Sequence, residues 1–217
     1  MQISETFLSI QGEGPSAGTP AHFLRLQGCD VGCHWCDTKY SWDADGGRDV
    51  DEAELWAGLE RLGSAPLLVI TGGEPLQHPD LDRVLDRALE RWPRVEIETS
   101  GILPPPRSHP HLFFNVSPKL PSATPRWSET WRHTEAWIAE PGATFKIVVG
   151  DPPDPDDLVR LVEERRLPRE RLLLMPEGLT DQALKARAAT LAALCTRLGA
   201  RLSPRLHVWI WGARRGV

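Results

Sequence analysis

The stretch "RLQGCDVGCHWCDTKYSWD", residues 25–43, carries three of the chain's four cysteines, Cys29, Cys33 and Cys36. They follow directly on "HFLRLQ" (22–27), an apolar run that reads as a strand. Clustered cysteines in a reducing setting point to metal or redox chemistry rather than to a disulfide framework. The fourth, Cys195 in "LAALCTRLGA", has helical, apolar surroundings and reads as a buried small hydrophobe.

Composition narrows the context. The 217 residues are 41% hydrophobic and 25% charged, ordinary values for one globular domain with a sizeable core. A net charge of −5 argues against a general nucleic-acid binder. No apolar run approaches the roughly 18 residues of a membrane span, so no membrane partner is expected. The start, "MQISETFLSIQGEG", lacks the basic and apolar regions of a signal peptide, and a cytoplasmic location is expected.

Apolar runs alternate with helical patterns. Strands are predicted at 22–27, 66–71, 94–99, 112–117, 144–149 and 171–176, and helices at 51–62, 80–92, 128–139, 155–166 and 180–198. Asp80 and Thr180 stand at helix starts. "RLHVWIW" (205–211) alternates and is predicted as a last strand that closes the core or pairs with a second copy. The pattern argues an α/β fold with a parallel sheet and crossover helices. A single domain is expected over 1–217, with an N-terminal segment 1–20 and a C-terminal strand and tail 205–217. The strands are followed by "GCDVGCHWC", "GGEP", "SG", "PK" and "EG". Ligands bind beyond the C-terminal ends of parallel strands, so five polar segments should converge on one face.

A structural zinc site takes four protein ligands, usually as two paired knuckles, and only one such pair, Cys33 and Cys36, is present. A 4Fe–4S cluster takes one thiolate per iron. Three cysteines would leave its fourth iron open to an exogenous ligand. In "TGGEP" (71–75), glycines permit close backbone approach to a ligand. A plain tight turn is the alternative reading of that segment.

Cys-x3-Cys-x2-Cys after a first strand resembles the signature of the radical S-adenosylmethionine superfamily. Within it, the chain resembles the 7-carboxy-7-deazaguanine synthase family of queuosine and deazapurine biosynthesis. The matching pieces are "FLSIQGEGPSAGTPAHFLRLQGC", "CHWCDTKYSWD", "TGGEP", "IETSG", "NVSPK" and "LHVWIWGARRGV", spanning 7–217. The resemblance implies a partial, open TIM-like barrel of about six parallel strands. It implies ring contraction of 6-carboxy-5,6,7,8-tetrahydropterin to 7-carboxy-7-deazaguanine with loss of ammonia. A 5′-deoxyadenosyl radical from S-adenosylmethionine would take a hydrogen from C6 and later return it.

The resemblance also implies roles. Cys29, Cys33 and Cys36 would ligate the cluster, and Thr38 would ligate Mg2+. Trp35, Asp37, Gly73, Glu74, Ser100, Ser117, Lys119 and Met175 would contact S-adenosylmethionine. Met175 stands where many relatives carry a polar amide, which weakens its assignment. Ile10, Gln11, Gly12, Arg25, Thr71 and the Val217 carboxylate would contact the pterin. Arg25 lies between Leu24 and Leu26, so strand alternation turns it towards the barrel interior, where a guanidinium can match a carboxylate at two points. Glu98 is an interior polar group without an assigned role. The histidines, His207 among them, are expected in surface or packing roles. A homodimer and an electron donor such as flavodoxin or ferredoxin are expected partners. The alternatives are an activase of glycyl-radical enzymes, which would lack "QGEG" and the C-terminal "WG", and a zinc-binding module.

Overall fold

The computed structural model describes residues 1–217. Strands β1 (Gln2–Ile10), β2 (Pro20–Leu26), β3 (Arg48–Asp49), β4 (Leu67–Gly72), β5 (Arg94–Thr99), β6 (Leu112–Val116), β7 (Ala143–Val149), β8 (Leu172–Pro176) and β9 (Arg201–Leu202) form one sheet. Its order is β3-β1-β2-β4-β5-β6-β7-β8-β9. Strands β2 and β4 to β9 run parallel, and β1 lies antiparallel to both of its neighbours, β2 and β3. The sheet does not close, so the fold is an open barrel built on six parallel strands and a short seventh.

The helices are α1 (Glu52–Arg61), α2 (Leu81–Arg91), α3 (Trp127–Thr130), α4 (Thr134–Ala139), α5 (Asp154–Glu164), α6 (Asp181–Leu198) and α7 (Leu206–Trp211). Asp51 caps α1 by accepting the Glu54 N–H at 2.7 Å, and Thr180 caps α6 through the Ala183 N–H at 3.2 Å. Asp80 makes no cap hydrogen bond and pairs with Arg83 instead.

The sheet's two faces have opposite chemistry because successive strand residues point to opposite sides. Leu24, Leu26, Leu68, Ile70, Val95, Ile97, Phe114, Ile147 and Leu174 belong to the main core between sheet and helices. Their neighbours Arg25, Thr71, Glu98, Lys146 and Met175 face the interior cavity.

Four sequence expectations need correction. The strand at 22–27 is the second, because "QISETFLSI" forms β1. The helix expected over 128–139 is broken into α3 and α4. Around the break, Thr130 Oγ1 accepts the Lys119 N–H at 2.9 Å, and Trp131 Nε1 donates to the Lys119 carbonyl at 2.7 Å. "RLHVWIW" is the helix α7 rather than a strand, with Trp209, Ile210 and Trp211 exposed at 62%, 47% and 37%. His207, on that helix, lines the cavity.

Phe114 is 1% exposed and meets the Trp137 ring edge-on at 5.1 Å. Phe114→Ala is expected to cost about 3–5 kcal/mol in chemical denaturation, and a cost below about 1 kcal/mol would show this layer to be loosely packed.

Candidate active site

The cysteine loop follows β2 and is held mainly by backbone contacts. Gly28 N–H donates to Ser41 O at 2.8 Å, Cys29 N–H to Trp42 O at 3.0 Å and His34 N–H to Ala123 O at 2.8 Å. Thr124 Oγ1 donates to Val31 O at 2.6 Å. Gly73, just after β4, lies against the same loop. A Cβ there would stand 1.9 Å from the Gly28 oxygen and 2.8 Å from Cys29 Cβ, so only glycine fits. Next to it, Glu74 N–H donates to Gly28 O at 2.9 Å. The Glu74 side chain is buried, and its carboxylate accepts from Thr99 Oγ1 at 2.6 Å, Ser100 N–H at 2.7 Å and Ser100 Oγ at 2.5 Å. Glu74 therefore ties the ends of β4 and β5 together, with both carboxylate oxygens accepting hydrogen bonds.

All three cysteines are free thiols. Burial pushes Cys29 up to about 11 and raises Cys33, so both hold their protons until a cation displaces them. Trp42 Nε1 and the Thr38 N–H each donate to Cys36 Sγ at 3.4 Å. No three His, Cys, Asp or Glu side chains converge as the ligands of a single ion do. A four-iron cluster needs no such convergence, since each thiolate takes its own iron. Three unpaired thiols with N–H donors aimed at sulfur fit that donor set.

The cavity beside the loop has a volume of about 350 Å³. Every residue that the sequence nominated lines it: the three cysteines and Thr38, then Trp35, Asp37, Gly73, Glu74, Ser100, Ser117, Lys119 and Met175, and finally Ile10, Gln11, Gly12, Arg25, Thr71 and Val217. Lys119 Nζ donates to Ser117 Oγ at 3.1 Å and stands 5.5 Å over the Trp35 ring. Asp37 is already paired, 2.6 Å from Arg205 Nη2. Arg25 Nε donates to Glu5 at 2.8 Å and Nη1 to Gly72 O at 3.3 Å, while Nη2 has no protein partner.

One wall of the cavity joins Gln11 and Glu98 to three charged residues that the sequence did not nominate, Glu13, Lys146 and Arg205. Lys146 is 3% exposed and bridges Glu13 at 2.6 Å and Glu98 at 2.7 Å. Gln11 Nε2 and Asn115 Nδ2 donate to Glu98 at 3.1 and 3.0 Å. Arg205 joins Glu13 at 3.0 Å to Asp37. Burial alone would raise both carboxyl groups. Lys146 and Arg205 pull Glu13 well below the usual carboxylate range, whereas burial wins at Glu98 and keeps it raised. Burial would lower Lys146, but Glu13 and Glu98 hold it above the usual lysine range. A signal was present: Lys146 is the single charge in "TFKIVV", as Arg25 is in β2.

Comparison with known proteins agrees with this geometry. The radical SAM superfamily matches residues 24–111. A 7-carboxy-7-deazaguanine synthase from Pyrobaculum aerophilum is 37% identical across the whole chain and 97% of its own length. The chain belongs to the 7-carboxy-7-deazaguanine synthase family. A second member, from Halobacterium salinarum, is 34% identical over 97% of this chain and 90% of its own. The crystal structure of QueE from Escherichia coli superposes with a TM-score of 0.69 at 30% identity, covering 95% and 94% of the two chains. As a synthase-family member the chain is a lyase-type enzyme, and its superfamily works with a 4Fe–4S cluster and S-adenosylmethionine. No helix is long and apolar enough to cross a membrane.

Two variants test the site. Gly73→Ala should prevent cluster assembly on reconstitution, read as loss of the visible iron–sulfur band; normal cluster content would refute the close approach. Lys146→Met should cost about 3–5 kcal/mol near neutral pH by stranding two buried carboxylates. In the wild type, Glu13 sits below its unfolded value, so its stabilisation is present above that value and lost as pH falls. Without Lys146, ionisation of the stranded pair opposes folding, so the deficit should widen from about pH 4 to about pH 7. A pH-independent deficit would show that Lys146 acts through packing alone.

Proposed function

We propose that the chain converts 6-carboxy-5,6,7,8-tetrahydropterin into 7-carboxy-7-deazaguanine and ammonia. The observation that carries this reading is one cavity holding a thiol triplet at one side and, at the other, a buried donor–acceptor wall beside a guanidinium with a free edge. When bound, the cluster and S-adenosylmethionine would supply a carbon radical that can remove a hydrogen atom. Substrate and product differ by one ammonia, so the reaction is redox-neutral and the hydrogen must be returned.

This chain's residues would do the rest. Cys29, Cys33 and Cys36 would hold the cluster. Lys119 would face the cofactor carboxylate as a mobile point charge, with Trp35, Gly73, Ser100, Ser117 and Met175 around it. Asp37 and Glu74 would act from behind, through Arg205 and through Ser100. Arg25 would take the substrate carboxylate, Thr71 lying beside it in register. Gln11, with Ile10 and Gly12, would meet the mixed donor–acceptor edge of the pterin, supported by Glu98. Glu98, raised by burial, would exchange a proton when ammonia leaves. Thr38 offers a hard oxygen for Mg2+, which typically takes few protein ligands and completes its shell with substrate and water. Val217, which lines the same cavity, would meet the substrate from the C-terminal tail. Two partners complete the reading: an electron donor such as flavodoxin or ferredoxin, and a second copy seated on Trp209, Ile210 and Trp211, whose exposure is unusual for large apolar side chains.

The deciding experiment is anaerobic. Cluster-loaded protein is reduced and given S-adenosylmethionine, Mg2+ and 6-carboxytetrahydropterin, and product is followed by mass. 7-Carboxy-7-deazaguanine should form, vanish in Cys33→Ala, and show a roughly 10- to 100-fold higher KM in Arg25→Met. Cofactor cleavage without deazaguanine would retain the radical chemistry and overturn the substrate. A monomer in sedimentation at micromolar concentration would overturn the second copy.

A further inference from the structure

Glu5 is not part of the cavity lining, yet three groups that line it converge on its carboxylate. Arg25 Nε donates to Oε1 at 2.8 Å, Tyr40 OH to Oε1 at 2.8 Å, and Arg215 Nε to Oε2 at 2.7 Å. Arg215 also lies over the Tyr40 ring at 4.0 Å. Glu5 reaches this position through an irregularity in β1. Ile3 pairs with Leu26 and Glu5 with Arg25, so the register shifts by one residue between them. In a regular strand, residues 3 and 5 would share a face. The bulge instead sends Ile3 into the main core at 1% exposure and turns Glu5 towards Arg25.

Arg215 belongs to the tail after α7. Residues 213–217 all line the cavity, and their only hydrogen bonds to the rest of the chain come from the Arg215 side chain, to Glu5 and to Ser4 O. A five-residue tail therefore closes on the cavity through one side chain.

We infer that Glu5 is a positioning residue that fixes the Arg25 guanidinium edge for a substrate carboxylate and latches the C-terminal tail over it through Arg215. The inference rests on the proposed role of Arg25. With Nε held by Glu5 and Nη1 by Gly72 O, rotation of the guanidinium is blocked and Nη2 is left to the cavity. Because the same carboxylate holds Arg215, loss of its charge loosens the carboxylate subsite and the tail together.

The test uses full-length, cluster-loaded protein with two fluorescent ligands, 6-carboxypterin and unsubstituted pterin, and timed release of the terminal valine by carboxypeptidase. In Glu5→Gln, 6-carboxypterin should bind at least tenfold more weakly while pterin affinity changes less than twofold, and valine release should quicken at least tenfold. In Arg215→Met, at a side chain 54% exposed, valine release should quicken to the same degree even if Glu5→Gln folds poorly. Wild-type release rates in both variants would overturn the latch. Equal weakening of both pterins in Glu5→Gln would overturn the positioning of Arg25. If 6-carboxypterin fails to bind wild-type protein, the substrate reading falls, and valine release still decides the latch.

Discussion

The whole site leans on the missing side chain of Gly73. Its Cα packs so near the Gly28 carbonyl that no Cβ has room. That contact lets the Glu74 N–H hold the Gly28 oxygen while the Glu74 carboxylate holds Thr99 and Ser100. Three strand ends, β2, β4 and β5, are thereby fixed relative to one another within two residues. The cysteine loop owes its position to this tie and to backbone contacts, so the thiols themselves stay unpaired and available.

A polar barrel interior needs an open barrel and a fully paired charge set. An apolar interior would have been filled by its own side chains. Here the apolar core lies between sheet and helices, and the interior carries Arg25, Glu98, Lys146 and Glu13. Each buried charge has an opposite neighbour within about 3 Å, which offsets desolvation that would otherwise cost several kcal/mol per ion. Such a set contributes little to stability. Its value is that donors and acceptors stand rigid before any ligand arrives.

The sequence made the cysteine loop, the parallel strands and the polar strand ends legible, because each is a local pattern. Arg25 was readable from its flanking leucines. Glu13, Lys146 and Arg205 were not, since residues 133 and 192 positions apart meet only once β7 and the C-terminal segment have folded against the N-terminal loop. Lys146 differs from Arg25 only in lacking a motif around it. β1 was missed because a bulge between Ile3 and Glu5 breaks the period-two alternation of "ISETFLSI". Glu74 is nominated by its motif as a cofactor contact; its bracing of Thr99 and Ser100 becomes visible only once β4 and β5 lie side by side.

The misreading of "RLHVWIW" has an informative cause. Its period-two alternation suits a strand, and six residues are too few to form a helix unaided. What makes it helical is tertiary. Leu206 N–H donates to Gly12 O at 2.9 Å, and Gly12 leaves the space that His207 fills, where a Cβ would come within 2.1 Å of Nδ1. A strand here would put His207, Trp209 and Trp211 on one face and Val208 and Ile210 on the other. The helix instead turns His207 and Val208 to the cavity and leaves Trp209, Ile210 and Trp211 outside. The glycine in "QGEG" is thus required as much by the far end of the chain as by its own turn. The N- and C-terminal segments pack as one structural unit, and they line the cavity together.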